Sequence, residues 1–241
     1  MIQPKFMHWQ QQKKQWGKMR TVIIIPTANP DGWGKHCVDG IQATKEDLDV
    51  DIIMAINYEG FALAINQTIP KSPYDFLCLL NDDTEPQAKW LHWLLHRMTT
   101  EPDIGIVGAK LYYPVTGLVQ HAGTGFDKHL GEPIHDGRGQ KDSMKFSQVK
   151  DVFAVSFAAA LLRKEMIDQI GLLDESFKYF FEDIDYCIRA REAGWRVVFE
   201  PSAKLVHYES MTIRDKSKMN EYNISKDTFL NKWETMLSSR R

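Results

Sequence analysis

Two acidic clusters, each directly after an apolar or aromatic segment, carry the side chains best suited to chemistry. Asn81-Asp82-Asp83 follows an apolar run that ends at Leu80, and Glu182-Asp183 follows two phenylalanines. Adjacent carboxylates repel one another unless a cation or hydrogen-bond donors share them. A hard divalent cation that also contacts phosphate oxygens would satisfy the first cluster. A carboxylate of the second cluster, within hydrogen-bond reach of a hydroxyl, would act as a general base.

Each cluster also has a purely structural interpretation, and the residues alone leave both open. Asp82 to Thr84 would cap a helix that the sequence predicts to start near Pro86. Acids in the first turn of a helix after Phe181 would be stabilised by the helix dipole, at ~0.3–1 kcal/mol each.

Four of the eight histidines are candidates for a site: one ends an apolar segment and three lie in a polar region. His207 ends the segment after the predicted strand 196–201, where it could be a metal ligand, although a lone histidine is more often structural. His207 is a stronger candidate because the two acidic clusters also follow apolar or aromatic segments. His121, His129, His135 and Asp136 match no zinc-binding spacing, so we expect them to be loop residues that line a substrate cleft.

The elements expected to position these groups alternate between strands and helices. The predicted strands are 21–27, 50–57, the run before Asn81, 104–114 and 196–201, and the predicted helices are 36–43, 60–69, 89–98, 164–170, 182–193 and the tail 215–241. The region 116–150, rich in Gly, His and Asp, is predicted to be loops. This alternation indicates an α/β layer with a mostly parallel sheet, whose ligands bind at the carboxyl ends of the strands.

Composition excludes several classes of protein. The chain has 241 residues, of which 43% are hydrophobic and 26% charged, as in an average globular protein and unlike a disordered or collagen-like chain. A net charge of −2 gives no broad electrostatic reason to expect nucleic acid as a partner. The cysteines Cys37, Cys78 and Cys187 form no C-x-x-C pair and are predicted to be free and buried.

The sequence predicts a cytoplasmic protein. No apolar run approaches the ~20 residues that cross a bilayer, and residues 1–20 lack the apolar centre of a signal peptide. Trp9 and Trp16, among lysines and arginines, would allow peripheral contact with an anionic membrane surface. An ordinary N-terminal extension is the simpler interpretation.

The order of the motifs resembles the family 2 glycosyltransferases, especially the rhamnosyltransferase-like, O-antigen-type branch of inverting nucleotide-sugar enzymes. The matching segments are IIIPTAN, GFALAIN, FLCLLNDDTEP, the stretch 161–207, and VHYES, and QHAGTGF (120–126) is similar to a loop of that branch. The resemblance implies the GT-A fold, a Rossmann-like, mostly parallel sheet flanked by helices, with a small additional sheet or loop region on the acceptor side. It implies an extension at 1–20, a GT-A domain at 21–212 and a helical tail at 213–241.

The resemblance also assigns roles to individual residues. Asp83 and His207 would bind a divalent cation, Mn²⁺ or Mg²⁺, that holds the diphosphate of a UDP-, dTDP- or GDP-sugar. Asp183, with Glu182 beside it, would deprotonate a hydroxyl of a glycan or lipid-linked acceptor. The residues expected on the nucleotide side are Thr27, Asn29, Asn57, Asn81 and Asp82.

Two departures from the family keep a second class of function open. Asn57 runs almost directly into Gly60, where the family usually has an Asp-Asn-Gly-Ser-like segment that helps to bind the base. Phe157 stands where a small residue is usual, so we expect its ring to narrow the pocket. The alternative is a degenerate glycan- or nucleotide-binding module without turnover. A nucleotidyltransferase ranks last, because no Gly-rich basic loop follows the first strand.

Overall fold

Strands and helices alternate through the first half of the chain, as the sequence predicts. The structure is a computed structural model that describes residues 19–56, 59–69, 73–127, 132–209 and 216–238. The strands of this half are β1 (Thr21–Thr27), β2 (Val50–Ile56), β3 (Phe76–Leu80), β4 (Thr84–Pro86) and β5 (Ile104–Tyr112). Its helices are α1 (Lys35–Thr44), which a π-helical turn (Pro30–Gly34) precedes, α2 (Phe61–Thr68) and α3 (Trp90–Thr100).

The second half contains more strands than the sequence predicts. Its strands are β6 (Val119–His121), β7 (Thr124–Asp127), β8 (Glu132–His135), β9 (Lys150–Asp151), β10 (Ala159–Arg163) and β11 (Arg196–His207). Its helices are α4 (Lys164–Ile170), α5 (Glu182–Glu192) and α6 (Lys216–Ser238). The prediction that 116–150 is all loop was wrong, because strands of two to four residues are too short to show an alternating pattern.

A single mixed sheet organises the described residues. Its strand order is β2-β1-β3-β10-β5-β11-β4, with β6 paired to β5 and β9 paired to β11, and β7 and β8 form a separate two-stranded sheet. β1 lies parallel to β2 and β3, and β5 lies parallel to β11, whereas β10 is antiparallel to both of its neighbours. The predicted mostly parallel α/β architecture is confirmed.

The sheet is buried on both faces, which explains why its strands are apolar runs without alternation. Side chains of successive residues point to opposite faces, so Ile24 packs on one side with α2, α4, α5 and α6, and Ile23 on the other with α1 and α3. All three cysteines are free and buried, as predicted.

The chain after β3 differs from the predicted helix start. Pro86 ends β4, which pairs with β11 so that Thr84 lies opposite His207, and α3 begins only at Trp90. The residue before α3, Lys89, has a left-handed backbone (φ 66°) and gives no side-chain cap. The interpretation of Asp82 to Thr84 as a helix cap was therefore wrong.

Two expectations about membranes concern the N-terminal tryptophans and the helices. Trp9 and Trp16 lie outside those residues, as do residues 1–18 as a whole. Within the ranges given above, no helix is both long enough and apolar enough to cross a membrane.

The packing of α6 on the sheet's helical layer gives a stability prediction. Phe229 of α6 is fully buried and stacks on Phe181, with ring centroids 5.1 Å apart. Phe229→Ala should lower the free energy of unfolding by about 3–5 kcal/mol, because the cavity adds to the lost transfer energy. Urea denaturation followed by circular dichroism measures this change. The control Met219→Ala, at a position 64% exposed on the same helix, should change it by no more than ~0.5 kcal/mol.

Candidate active site

The ends of β1 and β3 bring the first acidic cluster against the loop after β1. Thr27 Oγ1 donates a hydrogen bond of 2.6 Å to Asp82 Oδ2. The Asn29 side chain accepts from the Gly32 amide at 3.0 Å and so caps the π-helical turn. Burial raises the pKa of the Asp82 carboxyl, and the neighbouring Asp83 carboxylate adds to this, while the Thr27 bond opposes it. The loop after β1 and the acidic cluster thus form one polar surface at the carboxyl edge of the sheet.

Asp83 and His207 meet at the same edge. His207 Nε2 lies 3.1 Å from Asp83 Oδ1 and 3.3 Å from Asn81 Nδ2. Both Asp83 and His207 are more than nine-tenths buried. The antiparallel pairing of β4 with β11 places these residues together although 124 positions separate them in the sequence.

The donor set at this point fits a divalent cation. Gln120 Nε2 donates to the His207 carbonyl (3.1 Å), so its amide oxygen faces His207 Nδ1 (2.7 Å), and Nδ1 must donate the proton. His207 Nε2 is therefore the ring atom that faces the Asp83 carboxylate, and an imidazole nitrogen beside a carboxylate oxygen is a donor pair that suits Mn²⁺. Across the described ranges no cluster of three or more His, Cys, Asp or Glu side chains has metal-binding geometry. A cation held by Asp83 and His207 would therefore take its other ligands from a diphosphate or water.

The second acidic cluster opens α5. Asp183 Oδ1 accepts from the Ile184 amide at 2.8 Å, and the Phe157 amide also donates to this carboxylate. Burial raises the pKa of Asp183, and it raises the pKa of Glu182 too, where the adjacent Asp183 charge adds to the effect. Glu182 Oε2 is buried without a hydrogen-bond partner in the described part of the chain. The pair thus resists full ionisation, which makes Asp183 a stronger base than an exposed aspartate.

One turn links the two clusters. In the turn Ser156–Ala158, the Ala158 carbonyl accepts from the Asn81 amide (3.1 Å), while the Phe157 amide donates to Asp183. The Ser156 amide donates to His121 Nε2 at 3.2 Å. The segment that begins at Asn81 and the carboxylate of Asp183 are therefore hydrogen-bonded to the same turn, which brings the two acidic clusters into one region of the molecule.

The two residues directly before α5, the helix that carries Asp183 in its first turn, have a left-handed backbone conformation. Phe180 and Phe181 have φ values of 68° and 67°, a conformation that costs ~1–2 kcal/mol per residue without glycine. Packing from α6 compensates, because Tyr222 contacts both rings at centroid distances of 5.4 and 5.5 Å. Backbone strain of this kind is common at functional sites, where the surrounding structure enforces it.

Helix α6 also contacts α5 beyond the acidic pair. Trp233 Nε1 donates to Asp185 Oδ1 at 2.9 Å, and Lys232 Nζ lies 2.8 Å from the same oxygen. Ser225 Oγ donates to the Tyr179 carbonyl at 2.6 Å, just ahead of the strained phenylalanines. The C-terminal helix therefore fixes both the loop and the helix that present Asp183.

Sequence reasoning did not single out Gln120, and it expected His121 and His135 in loops that line a substrate cleft, whereas the structure places them in strands β6 and β8. Gln120 and His121 lie in β6, and His121 Nδ1 is 2.8 Å from His135 Nδ1. Burial lowers the pKa of both histidines, that of His135 to about 4, so both are neutral at neutral pH. The QHAG motif was the signal for β6, but its position beside His207 depends on strand pairing that the sequence does not reveal.

The structure contradicts the prediction for Phe157 and does not describe Asn57. The ring of Phe157 does not narrow a pocket: it is 2% exposed and packs edge-on against Tyr186 in the core, so that only its amide faces Asp183. Asn57 and His129 lie outside the described residues. The nucleotide-side role of Asn57 therefore stays a prediction.

Comparison with known proteins places this geometry in a family context. Residues 14–223 match a sequence profile described as glycosyltransferase like family 2. Over 146 residues the chain is 32% identical to the O-antigen biosynthesis protein RfbC of Myxococcus xanthus, and this alignment covers 58% of the chain and 11% of that protein. Over 204 residues it is 27% identical to the pre-mycofactocin glycosyltransferase of Mycobacterium tuberculosis, which covers 82% of this chain and 39% of that protein. The chain thus spans less than two fifths of either relative.

A solved structure supports the fold assignment. GalNAc-T7, crystallised with UDP, GalNAc and Mn²⁺, matches with a TM-score of 0.59 at 13% identity, over 78% of this chain and 44% of that one. At this identity the likeness concerns the fold alone, and it agrees with the expected GT-A architecture.

The coupled carboxyls predict a pH-dependent stability difference. Because burial raises both pKa values, this pair holds more protons in the folded chain than in the unfolded chain above about pH 4.3, the ordinary value for Glu, and its contribution to stability falls as pH rises. Glu182→Gln removes one of the two charges, so its Tm should exceed that of the wild type at pH 8 and equal it near pH 4.

Calorimetric scans between pH 4 and 8 test this difference. Glu192→Gln, at the exposed end of the same helix, is the matched control and should follow the wild type throughout. A Glu182→Gln difference that stays constant with pH would contradict the coupling.

Proposed function

Because the chain belongs to the family described as glycosyltransferase like family 2, we propose that it is an inverting, metal-dependent glycosyltransferase. It would move a sugar from a nucleoside-diphosphate sugar to a hydroxyl of a glycan or lipid-linked acceptor. The observation that carries the proposal is the turn Ser156–Ala158, to which both the Asn81 segment and Asp183 are attached.

The donor side consists of Asp83, His207 and the polar surface at the end of β1. Asp83 and His207 would hold Mn²⁺ or Mg²⁺, and such a cation neutralises negative charge on the leaving diphosphate. Thr27 fixes the Asp82 carboxylate by its 2.6 Å bond, and the remaining oxygen of Asp82 would contact the ribose or the cation. UDP, dTDP and GDP sugars remain the candidate donors.

Asp183 is the proposed base. It would take the proton of the acceptor hydroxyl as the hydroxyl oxygen bonds to the anomeric carbon and the bond from that carbon to the diphosphate oxygen breaks. Attack opposite the leaving group inverts the configuration and needs no protein nucleophile. The raised pKa of Asp183 suits this task, because a base works best when its pKa lies near the working pH.

The acceptor proposal draws on the relatives. One is named for O-antigen biosynthesis, the assembly of a polysaccharide, which favours a glycan or a lipid-linked glycan as acceptor. The separate sheet of β7 and β8 follows β6, and Asp136, directly after β8, exchanges backbone hydrogen bonds with Ala122 and Gly123, which connect β6 to β7. We assign this small sheet to the acceptor side.

A second candidate is a nucleotide-sugar-binding module without turnover. The sheet ends at β2, and only four residues separate Ile56 from Phe61, where the family usually has its base-binding segment. The intact Asp183 environment favours the enzyme, because a module that only binds has no use for a base.

The base assignment predicts separate effects on binding and turnover. Asp183→Asn should lower the rate of sugar transfer, or of donor hydrolysis, by ~10²–10⁴-fold, because the amide cannot accept the proton. Donor affinity, measured by calorimetry with Mn²⁺, should stay unchanged. Asp168→Asn, exposed on α4, is the matched control for both measurements. If Asp183→Asn weakened binding as much as turnover, Asp183 would have a structural role.

The metal assignment predicts a loss of Mn²⁺-dependent binding. Wild-type protein should bind UDP, GDP or dTDP more tightly with Mn²⁺ than without it, and Asp83→Ala should abolish that difference because one of two protein ligands is gone. Asp39→Ala removes a carboxylate that is exposed on α1 and should leave the difference intact. The expected result is that Asp83→Ala binds the nucleotide equally well with and without Mn²⁺, while the wild type binds it more tightly with Mn²⁺. An Mn²⁺ effect retained in Asp83→Ala would refute the metal-binding role of Asp83.

A further inference from the structure

Strand β6 carries two consecutive buried polar side chains that the proposed reaction does not use directly. Gln120 and His121 are 3% and 1% exposed. Because neighbouring side chains of a strand point to opposite faces, the two reach different parts of the site. Gln120 contacts His207, and His121 contacts the turn Ser156–Ala158.

On one face of β6, the Gln120 side chain forms two hydrogen bonds with His207. Its NH₂ group donates to the His207 carbonyl (3.1 Å), which can only accept, and so its oxygen must accept from His207 Nδ1 (2.7 Å). This arrangement keeps a proton on Nδ1 and leaves Nε2 as the ring atom that faces Asp83, 3.1 Å from its Oδ1. A second partner that fixes tautomer and ring orientation is a common requirement of a metal-binding histidine.

On the other face, His121 holds the turn. The Ser156 amide can only donate, so His121 Nε2 accepts (3.2 Å) and His121 Nδ1 carries the proton. That proton is donated to His135 Nδ1 at 2.8 Å, which fixes the ring from β8. The next amide of the turn, that of Phe157, donates to Asp183.

We infer that β6 is a positioning strand for both halves of the site. Gln120 turns Nε2 of His207 toward Asp83, and His121 fixes the turn whose Phe157 amide bonds to Asp183. Neither residue is catalytic, since each acts through another side chain or backbone group. The value of this positioning to catalysis rests on the proposed function, whereas the positioning itself is a property of the free protein.

A purely structural role for β6 predicts something different. If Gln120 and His121 only filled space and satisfied buried groups, substitutions at both positions would lower stability and disturb both regions alike. The positioning role predicts instead that neighbouring residues have separate effects, one on His207 and one on the turn.

The first experiment concerns Gln120. In ¹⁵N-histidine-labelled protein without metal, the His207 ring should show a protonated Nδ1 in the wild type and a mixture of tautomers in Gln120→Leu. Mn²⁺ affinity, measured by calorimetry with UDP present, should fall about 10–100-fold in Gln120→Leu. Gln120→Glu keeps an acceptor for Nδ1–H and should restore the tautomer and most of the affinity. Gln140→Leu, an exposed glutamine beyond β8, is the control.

The second experiment concerns His121. His121→Leu removes the acceptor of the Ser156 amide, so amide hydrogen exchange in the segment 154–158 should become about tenfold faster, as expected when a local opening is made easier. Its Mn²⁺ affinity should stay close to that of the wild type. His121→Gln, whose amide oxygen can accept near the position of Nε2, should restore slow exchange.

The outcomes separate this inference from the proposed function. An unchanged His207 tautomer in Gln120→Leu, equal loss in Gln120→Glu, or unchanged exchange in His121→Leu would each overturn the positioning role. So would folded variants that alter Mn²⁺ affinity and turn exchange together. If the wild type bound no Mn²⁺ at all, the proposed function would fail, but the tautomer and exchange measurements would still decide the role of β6.

Discussion

The backbone of the turn Ser156–Ala158 is the constraint on which the site depends. Buried amides and carbonyls must find partners, and most do so within helices and sheets. Here the partners are a histidine of β6, the first residue after β3 and the carboxylate that opens α5. Satisfying the turn therefore assembles the site, because any shift of one partner leaves a buried group of the turn unpaired, at a cost of ~1–3 kcal/mol.

The placement of Asp183 opposes local stability, and the rest of the fold must compensate. Four consecutive residues contain two left-handed phenylalanines and two acids with raised pKa. One of these acids, Glu182, has an Oε2 atom without a hydrogen-bond partner among the described residues. Helix α6 supplies the opposing interactions through Phe229 and its aromatic neighbours. The tail is therefore part of the apparatus that holds the base, and a site strained in this way is typical of residues selected for function over stability.

Local patterns explain which parts of the fold could be predicted. The buried runs of β1 and β3 and the glycine stops after α4 and α5 carry their signals within a few residues, and all agree with the structure. The strands between Val119 and Asp151 were missed because they have only two to four residues and are defined by their backbone pairing and not by their own composition. The helix start predicted near Pro86 was wrong because a proline suits a helix start but is also tolerated at the edge position of β4.

The same distinction separates the site residues whose roles the sequence predicted from those whose contacts it did not predict. Asp83, Asp183 and His207 end or begin elements, so their chemistry is visible in the sequence. Gln120 and His121 matter only through what lies on either face of a three-residue strand, and that depends on register between β5, β6 and β11. Because alternation along a strand is strict, inserting one residue ahead of Gln120 would exchange the two faces and direct each side chain to the wrong partner. The site therefore depends on the register of β6 as much as on the identity of its acids.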